Sequence, residues 1–189
     1  MRSVPRGFLN VPNFLTGLRI LAIPVFVVLF VKGRLGAALA VFIGAMITDM
    51  LDGIAARALK QFTRIGAILD PLADKAMGVA ALVLLAWSHR LPLWLLWLVV
   101  IREVCIFTAI GVLDRTGRSY AIRPTRFGKY STFFLATTTF AALVQGARDV
   151  HQSAPLIALT LIAAESVIIS WAQYLKLWIE LMQQPPRPA

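Results

Sequence analysis

The sequence predicts an all-α integral membrane protein of six transmembrane helices with both termini in the cytoplasm, and three observations carry that expectation. The chain has 189 residues, of which 59% are hydrophobic and only 15% charged, and its mean hydropathy is +0.76. That is too apolar for an ordinary soluble domain and too short for two large ones. The apolar residues gather in six runs, each near the roughly 20 residues a helix needs to cross the hydrocarbon. The lysines and arginines then collect on one side of the six-span topology.

The first run covers about 14–31 and follows Arg2 and Arg6. Basic residues before an apolar run resemble a secretory signal, yet no small-residue cleavage site follows, so a retained first span is expected. The residues ahead of it leave room for a short interfacial helix. The later runs cover about 35–57, 67–88, 91–113, 128–147 and 154–180. Short polar breaks separate them: KGRLG, KQFTRIG, SHRLP, the longer DRTGRSYAIRPTRF and GARDVHQSAP. Residues 1–182 form one membrane domain on this reading, and the tail QQPPRPA, 183–189, is expected to be disordered.

Orientation follows from the basic residues. Arg57, Lys60 and Arg64, then Arg115, Arg118, Arg123, Arg126 and Lys129, and finally Lys176 and Arg187 share the side of Arg2 and Arg6. The opposite side holds only Lys32, Arg34, Arg90 and Arg148. The formal net charge of +10 comes without a basic amphipathic domain apart from the spans, which points to anionic lipid and phosphorylated substrates rather than nucleic acid. The single Cys105 forms no intrachain disulfide and reads as a buried inert thiol.

Four of the nine acidic residues fall in one stretch, DMLDGIAARALKQFTRIGAILDPLADK, residues 49–75. In helices, Asp49 and Asp52 stand three apart and Asp70 and Asp74 four apart, so each pair shares a face with roughly 5–6 Å between Cβ atoms. An Asp at mid-bilayer costs about 2.5–3.5 kcal/mol, and four carboxylates repel one another, so something cationic must lie among them. Oxygen-only ligands suit Mg²⁺, Mn²⁺ or Ca²⁺ and argue against structural zinc; two ions bridged by shared carboxylates fit the set. Gly53 and Ala56 extend the Asp49 and Asp52 face and leave a groove, with Arg57 at its mouth. Gly66, Asp70 and Asp74 repeat every four residues. A groove, a divalent cluster and a guanidinium together describe a diphosphate site.

DMLDGIAAR, eight further residues and GAILDPLAD resemble, at every fixed position, the CDP-alcohol phosphotransferase signature DxxDGxxAR, eight residues, GxxxDxxxD. The match fixes eight residues over 26 positions. It implies a CDP-diacylglycerol-dependent phosphatidyltransferase of phospholipid biosynthesis that releases CMP. It also implies Mg²⁺ or Mn²⁺, two ions, held by Asp49, Asp52, Asp70 and Asp74, with Asp74 also the general base. Gly53, Ala56 and Arg57 would hold the cytidine diphosphate, with Gly66 in the same signature. The inner membrane of a bacterium, with the site facing the cytoplasm, is the expected location.

Segments VPNFLTGLRILAIP, IRE and FGKYST resemble the phosphatidylglycerophosphate synthase branch of that family, whose acceptor is glycerol 3-phosphate. Independently, Arg102, Arg123, Arg126 and Lys129 offer cations for a phosphorylated acceptor near the same end. Inositol phosphate and phosphatidylglycerol are the alternative acceptors. Asn13 and Arg19 are candidate nucleotide contacts by the resemblance, although capping and anchoring also explain Asn13 and Thr16.

Arg102 and Glu103 point about 100° apart on a helix, so they need not pair with each other, and Arg102 is expected to face the site while Glu103 bonds a neighbouring helix. Pro71 either kinks its helix or marks the first turn. His89 and His151 read as solvated loop residues, and Trp87, Trp94, Trp97, Trp171 and Trp178 as interfacial belts. Glu165, alone in the last span, fits an interhelical hydrogen bond or a contact with a second copy of the chain, a homodimer. A divalent cation transporter is the alternative from another class. Against it, the acidic residues gather at one end while the outer halves of the spans are plain Val, Leu, Ala and Phe.

Overall fold

The computed structural model describes residues 11–59, 66–116, 126–150 and 153–183; for 11–16, 49–59, 66–74, 110, 114 and 126 the backbone alone is described. These residues form six helices: α1 Val11–Val31, α2 Leu35–Leu59, α3 Gly66–Trp87, α4 Leu93–Arg115, α5 Arg126–Ala147 and α6 Ala154–Gln183. No strand occurs among the described residues. Each helix falls on one of the six apolar runs, and α6 reaches one residue into the tail expected from 183. At 1.5 Å per residue even the shortest is about 32 Å long, the thickness of the hydrocarbon. By length and composition, α4 over Leu93–Leu113 and α6 over Ala154–Gln183 are able to cross a membrane.

The helices fall into two compact units. The first holds α1, α2, most of α3 and the end of α5; the second holds the end of α3, α4, most of α5 and α6. In the first unit α1 and α2 pack along one another. Arg19, Phe26 and Phe30 of α1 and Ala38, Phe42 and Ala45 of α2 are buried, spacings of three, four and seven that mark one face of each helix. Phe26 meets Phe30 at 6.0 Å and Phe42 at 5.9 Å between ring centroids. Close packing through Ala38 and Ala45 and the ring contacts hold this pair.

The turn between α1 and α2 is set by Gly33, whose φ is +71°. Its N–H donates to Phe30 O at 2.9 Å and that of Arg34 to Leu29 O at 2.9 Å, the paired bonds of a Schellman C-cap. The end of α5 closes in the same way, with Asp149 N–H to Gly146 O at 3.1 Å and Val150 N–H to Gln145 O at 2.9 Å. There Asp149, at φ +55°, stands where a glycine is usual. His89 takes φ +57° after α3, so this exposed residue shapes the chain reversal in addition to being solvated. His151 lies outside the described residues.

In the second unit α6 buries Leu156, Thr160, Ala163, Ala164, Val167 and Ser170 along one stripe, and α4 buries Leu95, Arg102 and Leu113. The Thr138 hydroxyl on α5 donates to Phe134 O at 2.8 Å in its own helix and to Leu159 O of α6 at 3.2 Å. A bond of this kind ties two helices without leaving a buried hydroxyl unsatisfied. Ser153 caps α6, accepting from Leu156 N–H at 3.4 Å.

Candidate active site

The four aspartates lie on two helices of the first unit. Asp49 and Asp52 fall in the C-terminal half of α2, and Asp70 and Asp74 in the N-terminal half of α3. Helical rotation puts the first pair about 60° apart and the second about 40° apart around their axes, so each pair shares a face. Gly53 and Ala56 occupy the α2 face one turn on, Arg57 lies two residues before the helix end, and Gly66 is the first residue of α3. Pro71 therefore sits in the second turn of α3, where its missing N–H removes the bond to the Ala67 carbonyl. The helical registers expected for the signature are present at the level of the backbone.

A groove of about 320 Å³ runs between α1 and α2, lined by Arg19, Leu21, Val25, Val41, Gly44 and Thr48 among others. It reaches Thr48, the residue before Asp49. Arg19 is only 2% exposed. A buried guanidinium in an otherwise apolar helix pair is costly unless its charge is compensated. Arg19 thus lines a groove leading to the α2 segment that carries the first two aspartates. Asn13 stands on the same helix, six residues nearer its start. Thr48 was not legible as a site neighbour from sequence; its hydroxyl donates to Gly44 O at 2.6 Å within α2.

The two candidate acceptor contacts belong to the second unit. Lys129 is exposed on the first turn of α5. Arg126 opens the same helix and Arg115 ends α4, while Arg118 and Arg123 lie outside the described residues. Arg102 is 8% exposed. Its Nη1 donates to Glu103 Oε1 at 2.8 Å, so the adjacent residues do pair. The 100° offset describes Cβ directions, but an arginine is long enough to swing across it, and low-dielectric surroundings strengthen the attraction.

Two residues of α6 complete that environment, and no motif pointed to either. Ser170, with no exposed surface, accepts from Arg102 Nη2 at 3.0 Å. The Tyr174 ring lies beneath the Arg102 guanidinium, 5.8 Å from Cζ to the centroid, within the range of a cation–π contact. The signal that could have found them is periodicity, since Leu156, Thr160, Ala163, Val167, Ser170 and Tyr174 follow alternating steps of three and four.

The tryptophans divide. Trp87, Trp94 and Trp97 are exposed, as an interfacial belt requires, whereas Trp171 and Trp178 line an apolar groove of about 270 Å³ between α4 and α6 with Cys105 and Tyr174. Cys105 is half-buried there rather than fully enclosed. Glu165 is exposed on α6, and among the described residues it makes no interhelical hydrogen bond.

Residues 9–179 match the family described as CDP-alcohol phosphatidyltransferase. A protein of Pectobacterium atrosepticum named CDP-diacylglycerol–glycerol-3-phosphate 3-phosphatidyltransferase is 35% identical over 174 residues, 88% of this chain and 93% of its own. One of the same name from Pseudomonas fluorescens is 50% identical over 90 residues, so that match covers 46% of either chain. A cardiolipin synthase (CMP-forming) of Streptomyces coelicolor is 35% identical over 134 residues, 67% of this chain and 61% of its own.

Proposed function

The chain belongs to the CDP-alcohol phosphatidyltransferase family, and we propose that it moves the phosphatidyl group of CDP-diacylglycerol onto the hydroxyl of glycerol 3-phosphate, releasing CMP in phospholipid biosynthesis. The observation that carries the acceptor is the similarity, over nearly both full lengths, to a relative named for that reaction. Arg102 and Lys129 supply the cations that a phosphorylated acceptor needs.

The donor set fits Mg²⁺ or Mn²⁺. Asp49, Asp52, Asp70 and Asp74 offer oxygen ligands alone, two to a helix face, on helices of one compact unit. Bound there, two ions would neutralise the diphosphate and the charge that develops on CMP. Gly53 and Ala56 would let the nucleotide approach the α2 backbone, and Arg57 would supply a cation for its phosphates. Asn13 and Arg19 of α1 would contact the same nucleotide. The acceptor oxygen forms a bond to the phosphorus that carries the diacylglycerol, the bond from that phosphorus to CMP breaks, and CMP leaves with the electron pair. Asp74 takes the proton of the attacking hydroxyl.

This chemistry belongs to one membrane domain of six spans with both termini in the cytoplasm, in the inner membrane of a bacterium. Support comes from the excess of Lys and Arg on one side, from the aspartates lying toward that side, and from a family match that runs through both compact units. A homodimer is compatible with Glu165 on an exposed face of α6.

The test is CMP release by the detergent-solubilised protein from labelled CDP-diacylglycerol with Mg²⁺ or Mn²⁺ across a panel of glycerol 3-phosphate, inositol 1-phosphate, phosphatidylglycerol and serine. Release with glycerol 3-phosphate well above the others is expected. Preference for phosphatidylglycerol would move the chain to the activity named for the Streptomyces coelicolor relative.

A further inference from the structure

We propose that Ser170 and Tyr174 of α6 are positioning residues for Arg102, holding its guanidinium as a preformed fork for the phosphate monoester of the acceptor. The inference rests on the acceptor reading of Arg102 and adds what sets the geometry of that contact. A guanidinium carries five N–H donors in one plane. In this structure one donor on Nη1 goes to Glu103 Oε1 at 2.8 Å and one on Nη2 to Ser170 Oγ at 3.0 Å. Nε is buried with no hydrogen-bond partner. The ring of Tyr174 supports the cation from one face.

Fixation on two sides and one face leaves Nε without a hydrogen-bond partner in a residue that is 8% exposed. A purely structural arginine in an apolar span would be expected to satisfy that donor, since an unpaired buried donor is costly. A tetrahedral phosphate with three acceptor oxygens is the ligand that a planar, partly occupied guanidinium suits. Glu103 neutralises part of the charge, but its side chain is 34% exposed against 10% for Arg102, so the less screened charge of the pair is positive. The Ser170 hydroxyl has no such exposure. Its bond spans 68 residues of sequence, so α6 fixes where the α4 guanidinium points.

The experiment measures KM for glycerol 3-phosphate and for CDP-diacylglycerol separately in the purified full chain. Ser170→Ala and Tyr174→Leu are each expected to raise KM for glycerol 3-phosphate about three- to tenfold, with that for CDP-diacylglycerol within about twofold. Tyr174→Phe keeps the ring and is expected to behave as wild type, which separates loss of the cation–π support from loss of fold. Ser166→Ala is the control, because that hydroxyl donates to Ala163 O at 2.7 Å within α6; neither KM should change. Unchanged acceptor KM in both Ser170→Ala and Tyr174→Leu, or a parallel rise in both constants, would overturn the positioning role. Arg102→Ala distinguishes the two layers. If it raises the acceptor KM while the α6 variants do not, only the positioning inference fails; if it moves only the CDP-diacylglycerol KM, the acceptor reading fails with it.

Discussion

Carboxylates four residues apart on a helix repel one another by a few tenths of a kcal/mol even on a solvated surface, and more where water is scarce. The proposed metal ions would offset that repulsion for Asp70 and Asp74, together with Asp49 and Asp52. Asp49→Asn, Asp52→Asn and Asp70→Asn are each expected to lower turnover by at least about a hundredfold while the protein still inserts. Substantial activity in any two would sink the metal assignment. With Asp74 as the proposed base, Asp74→Asn should retain CDP-diacylglycerol binding while the chemical step falls by roughly 10² to 10⁴. Single-turnover rates across a Mg²⁺ titration check it; rescue by metal to near the wild-type rate would make Asp74 a ligand only. Lys129→Ala should raise KM for glycerol 3-phosphate and leave that for the nucleotide lipid. At this scale the eight signature residues were legible as a pattern of fixed spacing, and α2 and α3 carry them in the expected helical registers. The surroundings of Arg102 were not, because Ser170 is distant in sequence and the Glu103 pairing depends on how a long side chain bends.

Helices themselves were the most readable feature, since each apolar run is long and bounded by polar breaks, and the ends of α1 to α6 differ from the expected ones by a few residues. Their stop signals were readable only where glycine supplied them. Gly33 does so at the end of α1, but Asp149 and His89 take the same left-handed backbone without a sequence cue. Opposite effects follow at two equivalent caps. Gly33→Ala places a Cβ at φ +71° with open space around it, so strain alone acts, and a loss of about 1–2 kcal/mol is expected. Asp149→Gly relieves the same conformation at φ +55° and is expected to be neutral or to stabilise by up to about 1 kcal/mol. Thermal unfolding in one detergent, read for both variants beside wild type, checks the pair. A destabilised Asp149→Gly would mean that its carboxylate contributes more than its backbone costs.

For the whole molecule, composition and the bias of basic residues announced a helical membrane protein, whereas the division of six helices into two compact units is a property of packing that no local pattern carries. Reporter fusions at each terminus are expected to place both in the cytoplasm, the side of Arg57, Arg115 and Lys129. Opposite locations would require an odd number of spans and would separate the basic loops from the aspartates. The most direct test of the reaction is to supply labelled glycerol 3-phosphate with unlabelled CDP-diacylglycerol and purified protein, then follow label entering the lipid phase beside CMP in the aqueous phase. One labelled lipid per CMP, abolished by EDTA and restored by Mg²⁺ or Mn²⁺, is the expected result. CMP without labelled lipid, or transfer that persists after the metal is stripped, would contradict metal-dependent phosphatidyl transfer to glycerol 3-phosphate.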